Sequence, residues 1–298
     1  MARILVFGSL NWDTPIRLSA PLASGGRLFG TSFGGRMAGR LGGGGANTGC
    51  GLAMVGHHVA VVTSVPSGPV GDRVLQQAKS HGIDIRFVRR VDRPFPTTLL
   101  LIEPHGERVV LGVDLPATPP PEPSSEDRAI RRAALAAFKP DALYLRKVDE
   151  QGLACLGTGE ALAVAQWPGA AVVERIGVPL SVDALIVSRD DLTLPFKDDL
   201  WPMARRMAGD RLRALVVTDG PNGAHLFTDD GRQTIPTPTA VPVDCTGAGD
   251  AFAAGFIRAR LAGVSWPLAV QHANAWGALT VADHGSLPPP WAADLTIT

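Results

Sequence analysis

Lysine is nearly absent from this chain: Lys79, Lys139, Lys147 and Lys197 are the only four in 298 residues, and none stands in a glycine-rich loop. That excludes a P-loop, which needs a lysine at its phosphates. Gly-x-Gly-x-x-Gly occurs nowhere either, so a dinucleotide-binding reading loses its main evidence. The three cysteines, Cys50, Cys155 and Cys245, are odd in number and lack metal-like spacing. They exclude a disulfide framework and suit a reducing compartment. Seven histidines show no ligand spacing, which gives a metal hydrolase little support. An excess of either charge is also missing, with Lys+Arg and Asp+Glu both at 28, so a nucleic-acid partner is disfavoured. No apolar run reaches a membrane-spanning length, and the opening Met1–Gly8 is too short for a signal peptide, so a soluble, cytoplasmic protein without a membrane partner is expected. With 45% hydrophobic and 19% charged residues, disorder is excluded and a large core can be buried.

What is present reads as α/β. Ile4–Phe7 is a buried first strand followed by Asn11-Trp12-Asp13, polar groups at the edge where open α/β sheets hold ligands. Residues 14–40, rich in Gly, Ser and Arg, read as exposed hairpin or loop. Gly42-Gly43-Gly44-Gly45-Ala46-Asn47 then opens a helix to about Val55, and its glycines allow close approach to the backbone. Further strands are expected at His58–Val65, near Phe87–Val88, and at Ala142–Leu145, Ala163–Gln166, Ala184–Val187 and Ala214–Thr218. Helices are expected at Val74–His81, after Asp127, near Leu153–Leu162 and at Leu200–Ala208. Thr97–Ile102 and Arg108–Val113 form a hairpin pattern, and the five prolines of Pro116–Ser125 mark a connector. Arginine clusters such as Arg128, Arg131 and Arg132 read as solvated helix faces.

The most informative stretch is Asp244–Phe256, Asp-Cys-Thr-Gly-Ala-Gly-Asp-Ala-Phe-Ala-Ala-Gly-Phe, after a Val241-Pro242-Val243 run that reads as a strand. Gly247, Ala248 and Gly249 lead into an alanine-rich helix whose unpaired N–H groups and positive dipole end suit an anion. Asp250 among those amides is either a first-turn cap or a general base that takes a hydroxyl proton while the amides hold charge on a transferring phosphoryl group.

The order strand, Asn-x-Asp, Gly-Gly-x-Gly-Ala-Asn and, about 200 residues later, Asp-x-Thr-Gly-Ala-Gly-Asp-Ala-Phe resembles the ribokinase (PfkB) family of carbohydrate and nucleoside kinases. Gly71-Asp72, Gly82-Ile83-Asp84, Val217–Gly223 and Asn274–Gly285 look like further landmarks, so the resemblance runs nearly end to end. It implies one ribokinase-like α/β/α domain over 1–298, with a mainly parallel central sheet and a small β lid from about 11–40 and 96–114. It also implies ATP-dependent phosphorylation of a hydroxymethyl group with Mg²⁺. Asp250 matches the family's catalytic base, and Gly247, Ala248 and Gly249 match its anion hole. Asn11, Asp13, Gly43 and Asn47 match the positions that hydrogen-bond substrate hydroxyls. Thr218, Gly220 and Gly223 match the nucleotide loop, and Asn274 falls near the adenine. Some members hold a monovalent cation behind the anion hole, at positions that here are Asp244, Thr246, Thr280, Asp283 and Gly285; activity should then rise with potassium if the site is intact. The lid is also a candidate homodimer surface.

There are departures from the pattern. Where many members carry Asn-x-x-Glu near the nucleotide phosphates and Mg²⁺, this chain has Ser188 and Asp191. Gly44 replaces the lysine of ribokinase itself, which weakens ribose as the substrate, and Arg146-Lys147-Val148-Asp149 offers no equivalent of a substrate-binding glutamate. Gln166-Trp167-Pro168 is unusual, and Trp167 either shapes the pocket or packs. The leading reading is a sugar kinase acting on a primary hydroxyl. A nucleoside kinase, with Trp12 as a stacking wall, is the alternative within the chemistry. A ligand-binding or regulatory homologue without catalysis is the alternative outside it.

Overall fold

The structure, a computed structural model, describes residues 1–25, 27–32, 38–113, 124–146, 159–167, 179–192 and 200–297. Its architecture follows from the alternation of apolar residues along one strand. β1 (Arg3–Phe7) is buried on both faces: Ile4 and Val6 point into one apolar cluster, Leu5 and Phe7 into another. A strand with this pattern can only be central. It pairs in parallel with β5 (His58–Pro66) on one side and β10 (Ala142–Leu145) on the other. Beyond β10 follow β11 (Leu162–Gln166), β12 (Ala184–Ser188) and β13 (Ala214–Thr218), all parallel. The antiparallel hairpin of β14 (Ala224–Thr228) and β15 (Gly231–Ile235) closes that edge. On the far side β6 (Ile83–Asp84) and β7 (Val88–Val91) both pair with β5.

Helices cover both faces. α1 (Gly44–Met54), α2 (Pro69–Ser80), α5 (Ala248–Leu261) and α6 (Trp266–Val281) contribute to the cluster around Val6, Phe256 and Trp276. α3 (Ser125–Phe138) and α4 (Leu200–Ala208) pack on the other face, around Leu145, Phe138 and Leu200. Each fully buried large aliphatic or aromatic side chain of these two layers stabilises the fold by about 1.5–3 kcal/mol.

A second, five-stranded sheet joins β2 (Asn11–Leu18), β3 (Gly30–Ser32), β4 (Arg40–Gly42), β8 (Thr97–Ile102) and β9 (Arg108–Val113). β2 is its hub, antiparallel to β3 and β4 and parallel to β8. The stretch expected as exposed hairpin or loop from residue 14 is strand as far as Leu18, with Thr14, Pro15 and Leu18 buried rather than exposed. β4 carries the small sheet two residues past the expected limit of 40.

One expectation is corrected. Val241–Val243 is not a strand: Pro242 has no N–H for a ladder, Val241 is 78% exposed, and the Val243 N–H goes to the carbonyl of Val281 at the end of α6. α2 begins at Pro69, several residues before Val74, because proline suits the first turn, where no N–H partner is needed. Pro116 and its neighbours to 123, and most of the helix expected at Leu153–Leu162, lie outside the described residues; Leu162 itself opens β11.

The four glycines before α1 are a packing device rather than a linker. A Cβ on Gly45 would stand 2.5 Å from the carbonyl carbon of Gly8, and one on Gly8 would stand 2.7 Å from the Gly45 Cα. The end of β1 and the head of α1 thus meet backbone to backbone. Gly45→Ala should lose about 1–3 kcal/mol through forced overpacking, measurable as a lowered urea midpoint at unchanged m-value. An unchanged midpoint would show that the two segments are not in contact.

Candidate active site

The heads of α1 and α5 converge at the end of β1, and the residues singled out as base and substrate contacts meet there. Asp250, in the first turn of α5, is buried at 7% exposure. Asn47 of α1 donates from Nδ2 to its Oδ2 at 2.9 Å, and Thr48 donates its hydroxyl to the Asp250 carbonyl at 3.2 Å. The small residues of α1 and α5 let the two helices come this close: a Cβ on Gly51 would sit 3.2 Å from that of Ala254.

The expected anion hole, Gly247–Gly249, lies at the head of α5. Gly247, the N-cap of α5, has φ 81° and would drive a Cβ to 2.1 Å from the Ser286 carbonyl oxygen, so only glycine fits. Gly249 is the opposite case, because a Cβ there would meet nothing within 4 Å. The N–H groups of Gly249 and Asp250, in the first helical turn, have no acceptor four residues back within α5. Ala248 makes only a long contact to the Cys245 carbonyl, 3.5 Å.

Beside Asp250 stand two buried acceptors without a partner among the described residues, Asp13 Oδ1 and Asn47 Oδ1. Buried polar atoms are rarely left so, and a ligand supplying hydroxyl donors would satisfy both. Burial, above all, pushes the Asp13 carboxyl up to about 6; Arg40 and the Gly43 N–H act against the rise, and the charge of Asp250 adds to it. Gly43, the N-cap of α1 at φ 90°, is wedged against Ser9, whose carbonyl oxygen would lie 2.7 Å from a Cβ. Asn11 opens β2 half-buried and pairs across the ladder with Gly42.

Arg146 was not identified as a site residue from the sequence. It follows β10, and its Nε donates to Asp250 Oδ1 at 2.7 Å, so both oxygens of the carboxylate are held in place. The side chain is 40% exposed and also lies in the field of Asp191. It runs over Gly44, where a Cβ would come within 2.6 Å of its Cγ and Nε. The available signal was its place at the C-terminal end of a strand next to β1.

Of the nucleotide set, Ser188 and Thr218 are register partners at the ends of β12 and β13. The Ser188 hydroxyl accepts from the Asp190 N–H and so caps the short turn Arg189–Asp191, while Thr218 donates to the Val187 carbonyl. Gly220 has open space around it, whereas Gly223, at φ 90°, is pressed against the Ile235 carbonyl. Asn274 is buried in α6 and donates Nδ2 to the carbonyls of Ile235 and Pro236, so it fixes the end of β15. Asp191 is exposed. Among the described residues no group of three His, Cys, Asp or Glu could hold a metal ion.

The expected monovalent-cation set is arranged differently. Asp244 is fully buried, but its Oδ1 accepts from the Thr246 N–H at 2.9 Å and its Oδ2 from Arg40 Nη2 at 3.1 Å. Thr280 spends its hydroxyl on the Trp276 carbonyl, and Asp283, exposed, takes the His284 N–H. A Cβ on Gly285 would lie 4.0 Å from Arg40 Nη1. Thr246 keeps a buried hydroxyl without a partner among the described residues.

Comparison with known proteins follows the same division of the chain. The family model "pfkB family carbohydrate kinase" matches residues 1–145 and 181–293. The chain is 30% identical to an ATP-dependent ribose-1-phosphate kinase of Halopiger xanaduensis, over 98% of this chain and 96% of the relative. A D-beta-D-heptose 7-phosphate kinase of Bordetella bronchiseptica is 28% identical over 82% of this chain and 80% of its own. The crystal structure of ribokinase from Thermotoga maritima superposes with a TM-score of 0.75 at 19% identity, covering 99% and 98% of the two chains, and shows the same fold. With a family model matched on both sides of the 146–180 gap and a relative aligned nearly end to end, the chain belongs to the pfkB family of carbohydrate kinases, ATP-dependent phosphotransferases.

Proposed function

We propose that this kinase transfers the γ-phosphoryl group of ATP to a primary hydroxyl of a small sugar, with Asp250 as general base. One observation carries the reading: a buried carboxylate, held on both oxygens by Asn47 and Arg146, lies beside the open first-turn amides of α5. Asp13 and Asn47 accept from neighbouring sugar hydroxyls through their unpartnered oxygens and aim the reacting one at Asp250. Asp250 removes the proton as the new O–P bond forms and ADP leaves. The amides of Gly247, Ala248 and Gly249 hold the charge that builds up on the transferring group. Thr218 and Gly220 line the nucleotide side with Ser188. Mg²⁺ would neutralise the phosphates, and Asp191 is the carboxylate that would hold its water shell.

A second reading concerns the acceptor. Arg146 offers a half-exposed guanidinium at the acceptor side of Asp250. Guanidinium suits phosphate, and two relatives are named for phosphorylated sugars. The acceptor on this reading already carries a phosphate, paired with Arg146. A nucleoside acceptor is less well supported, because Trp12 lies on Gly39, its Nε1 within 1.9 Å of where a Cβ would stand, and packs against the core. The small sheet acts as a lid, and its edge strand β9 exposes Val110 at 56% with Val109 and Leu111 beside it, a surface that a second copy of the chain would cover.

Asp250→Asn should lower turnover by about 10²- to 10⁴-fold with ATP binding nearly intact, in an ADP-release assay across ribose, fructose, ribose 1-phosphate and inosine. Turnover near wild type would remove Asp250 from the role of base, and ligand-induced stabilisation without any ADP would indicate a binding protein. Because the Asp13 carboxyl is raised to about 6 and protonation replaces a strong charged acceptor by a weaker neutral one, kcat/KM for the acceptor should fall as pH drops through 6. Asp13→Asn should abolish that limb; a profile unchanged in the variant would assign the limb to another group. Val110→Glu should turn a dimer into a monomer by sedimentation velocity, and a wild-type monomer would reject the lid interface.

A further inference from the structure

Asp244 presents the loop before α5 with a physical problem. It is fully buried directly ahead of the anion hole, and an uncompensated carboxylate there would both cost the fold and repel the phosphoryl group it backs onto. Some counter-charge must sit behind the loop. Its Oδ1 is used by the Thr246 N–H, and the cation at Oδ2 is Arg40. The guanidinium also reaches toward Gly285, with Nη1 4.0 Å from the place of a Cβ there, so it spans the two chain segments that would otherwise face a free ion. Thr280 and Asp283 have turned their side-chain oxygens elsewhere, onto Trp276 and His284. Of the set only the Thr246 hydroxyl is left without a partner among the described residues, and with the Asp244 carboxylate already paired to Arg40 these side chains do not fit a free monovalent cation.

We infer that the Arg40 guanidinium is a built-in replacement for a monovalent cation behind the anion-hole loop, which makes the kinase independent of potassium. This rests on the phosphotransfer reading of Asp250. Arg40 is a positioning residue: it touches neither nucleotide nor acceptor and acts through Asp244, fixing the turn that sets the amides of Gly247–Gly249. Unlike a free ion, it is covalently part of the lid. It sits in β4 as the register partner of Asp13 in β2, and its charge favours the ionised form of Asp13. The same side chain therefore links the acceptor-binding strand to the anion hole. Arg40 also lines a cavity of about 540 Å³ with Gln77, Asp283, His284 and Gly285, and shortening the arginine would enlarge it on the side of Asp244.

The test uses the full-length protein in KCl, NaCl or choline chloride at equal ionic strength, with wild type, Arg40→Ala and Arg40→Lys. Rates of ADP release are read with the acceptor that the screen identifies, and thermal unfolding is read in the same salts with no substrate. Wild type should change less than about twofold between choline and potassium in kcat, and its melting temperature should not separate the cations. Arg40→Ala should lose about tenfold or more in kcat in choline, regain most of it in potassium, and gain a potassium-specific rise in melting temperature. Arg40→Lys should keep much of the activity without potassium. Several-fold activation of wild type by potassium overturns the inference, as does an Arg40→Ala protein that is impaired equally in all three salts. If Arg40→Ala does not fold, wild type and Arg40→Lys still decide. Absence of ADP in every arm would overturn the kinase reading instead, and the melting curves would then judge the cation inference alone.

Discussion

Three carboxylates, Asp13, Asp244 and Asp250, are buried around the head of α5, and the surrounding structure is shaped by the need to keep them there. In isolation each would cost several kcal/mol to ionise out of water. Two arginines answer part of that charge, Arg40 at Asp244 and Arg146 at Asp250. The positive ends of α1 and α5 answer another part, since both helices begin at this point. Asp13 receives the least direct help, which is why burial dominates its behaviour and holds its carboxyl near 6. A nucleotide would add further negative charge, so the site is balanced only when its phosphates arrive with their own counter-ion.

Bringing this charge together requires backbones to approach more closely than side chains normally permit. Gly8 against Gly45, Gly42 against Asp13, and Gly247 against Ser286 each leave no room for a methyl group. Gly249, within the same loop as Gly247, faces open space. The contrast separates two kinds of glycine in one motif: at Gly247 packing leaves no room for a side chain, and at Gly249 packing imposes no such limit.

Much of this was legible in the sequence, for reasons tied to locality. Asp250 and Gly247–Gly249 lie within seven consecutive residues, and Asn47 closes an equally contiguous run, so both stretches could be singled out from the sequence, the role of Asn47 through the family resemblance. The strands buried on both faces announced themselves as unbroken apolar runs. Arg146 and Arg40 did not, because their meaning lies in partners 104 and 204 residues away, and an arginine beside a strand resembles any solvated one. Val241–Val243 misled because apolar character was weighed above the missing N–H of Pro242. Asn274 could be placed near β15 only by fold, and its amide serves backbone carbonyls rather than standing free.

The lid carries more of the site than a cover would. β2 leaves the main sheet just after β1 and brings Asp13 with it, while β4, two strands' pairing away from β8, brings Arg40 and then turns directly into α1 and Asn47. Asp13 on β2, Arg40 on β4 and Asn47 on α1 thus all belong to the stretch of sequence between residues 11 and 47. A displacement of the lid cannot leave the anion hole untouched, because Arg40 is salt-bridged to Asp244 across 204 residues of sequence. On the proposed function, the binding energy of an acceptor at Asp13 would therefore be available to order the loop before α5, where such energy accelerates the reaction rather than merely tightening binding.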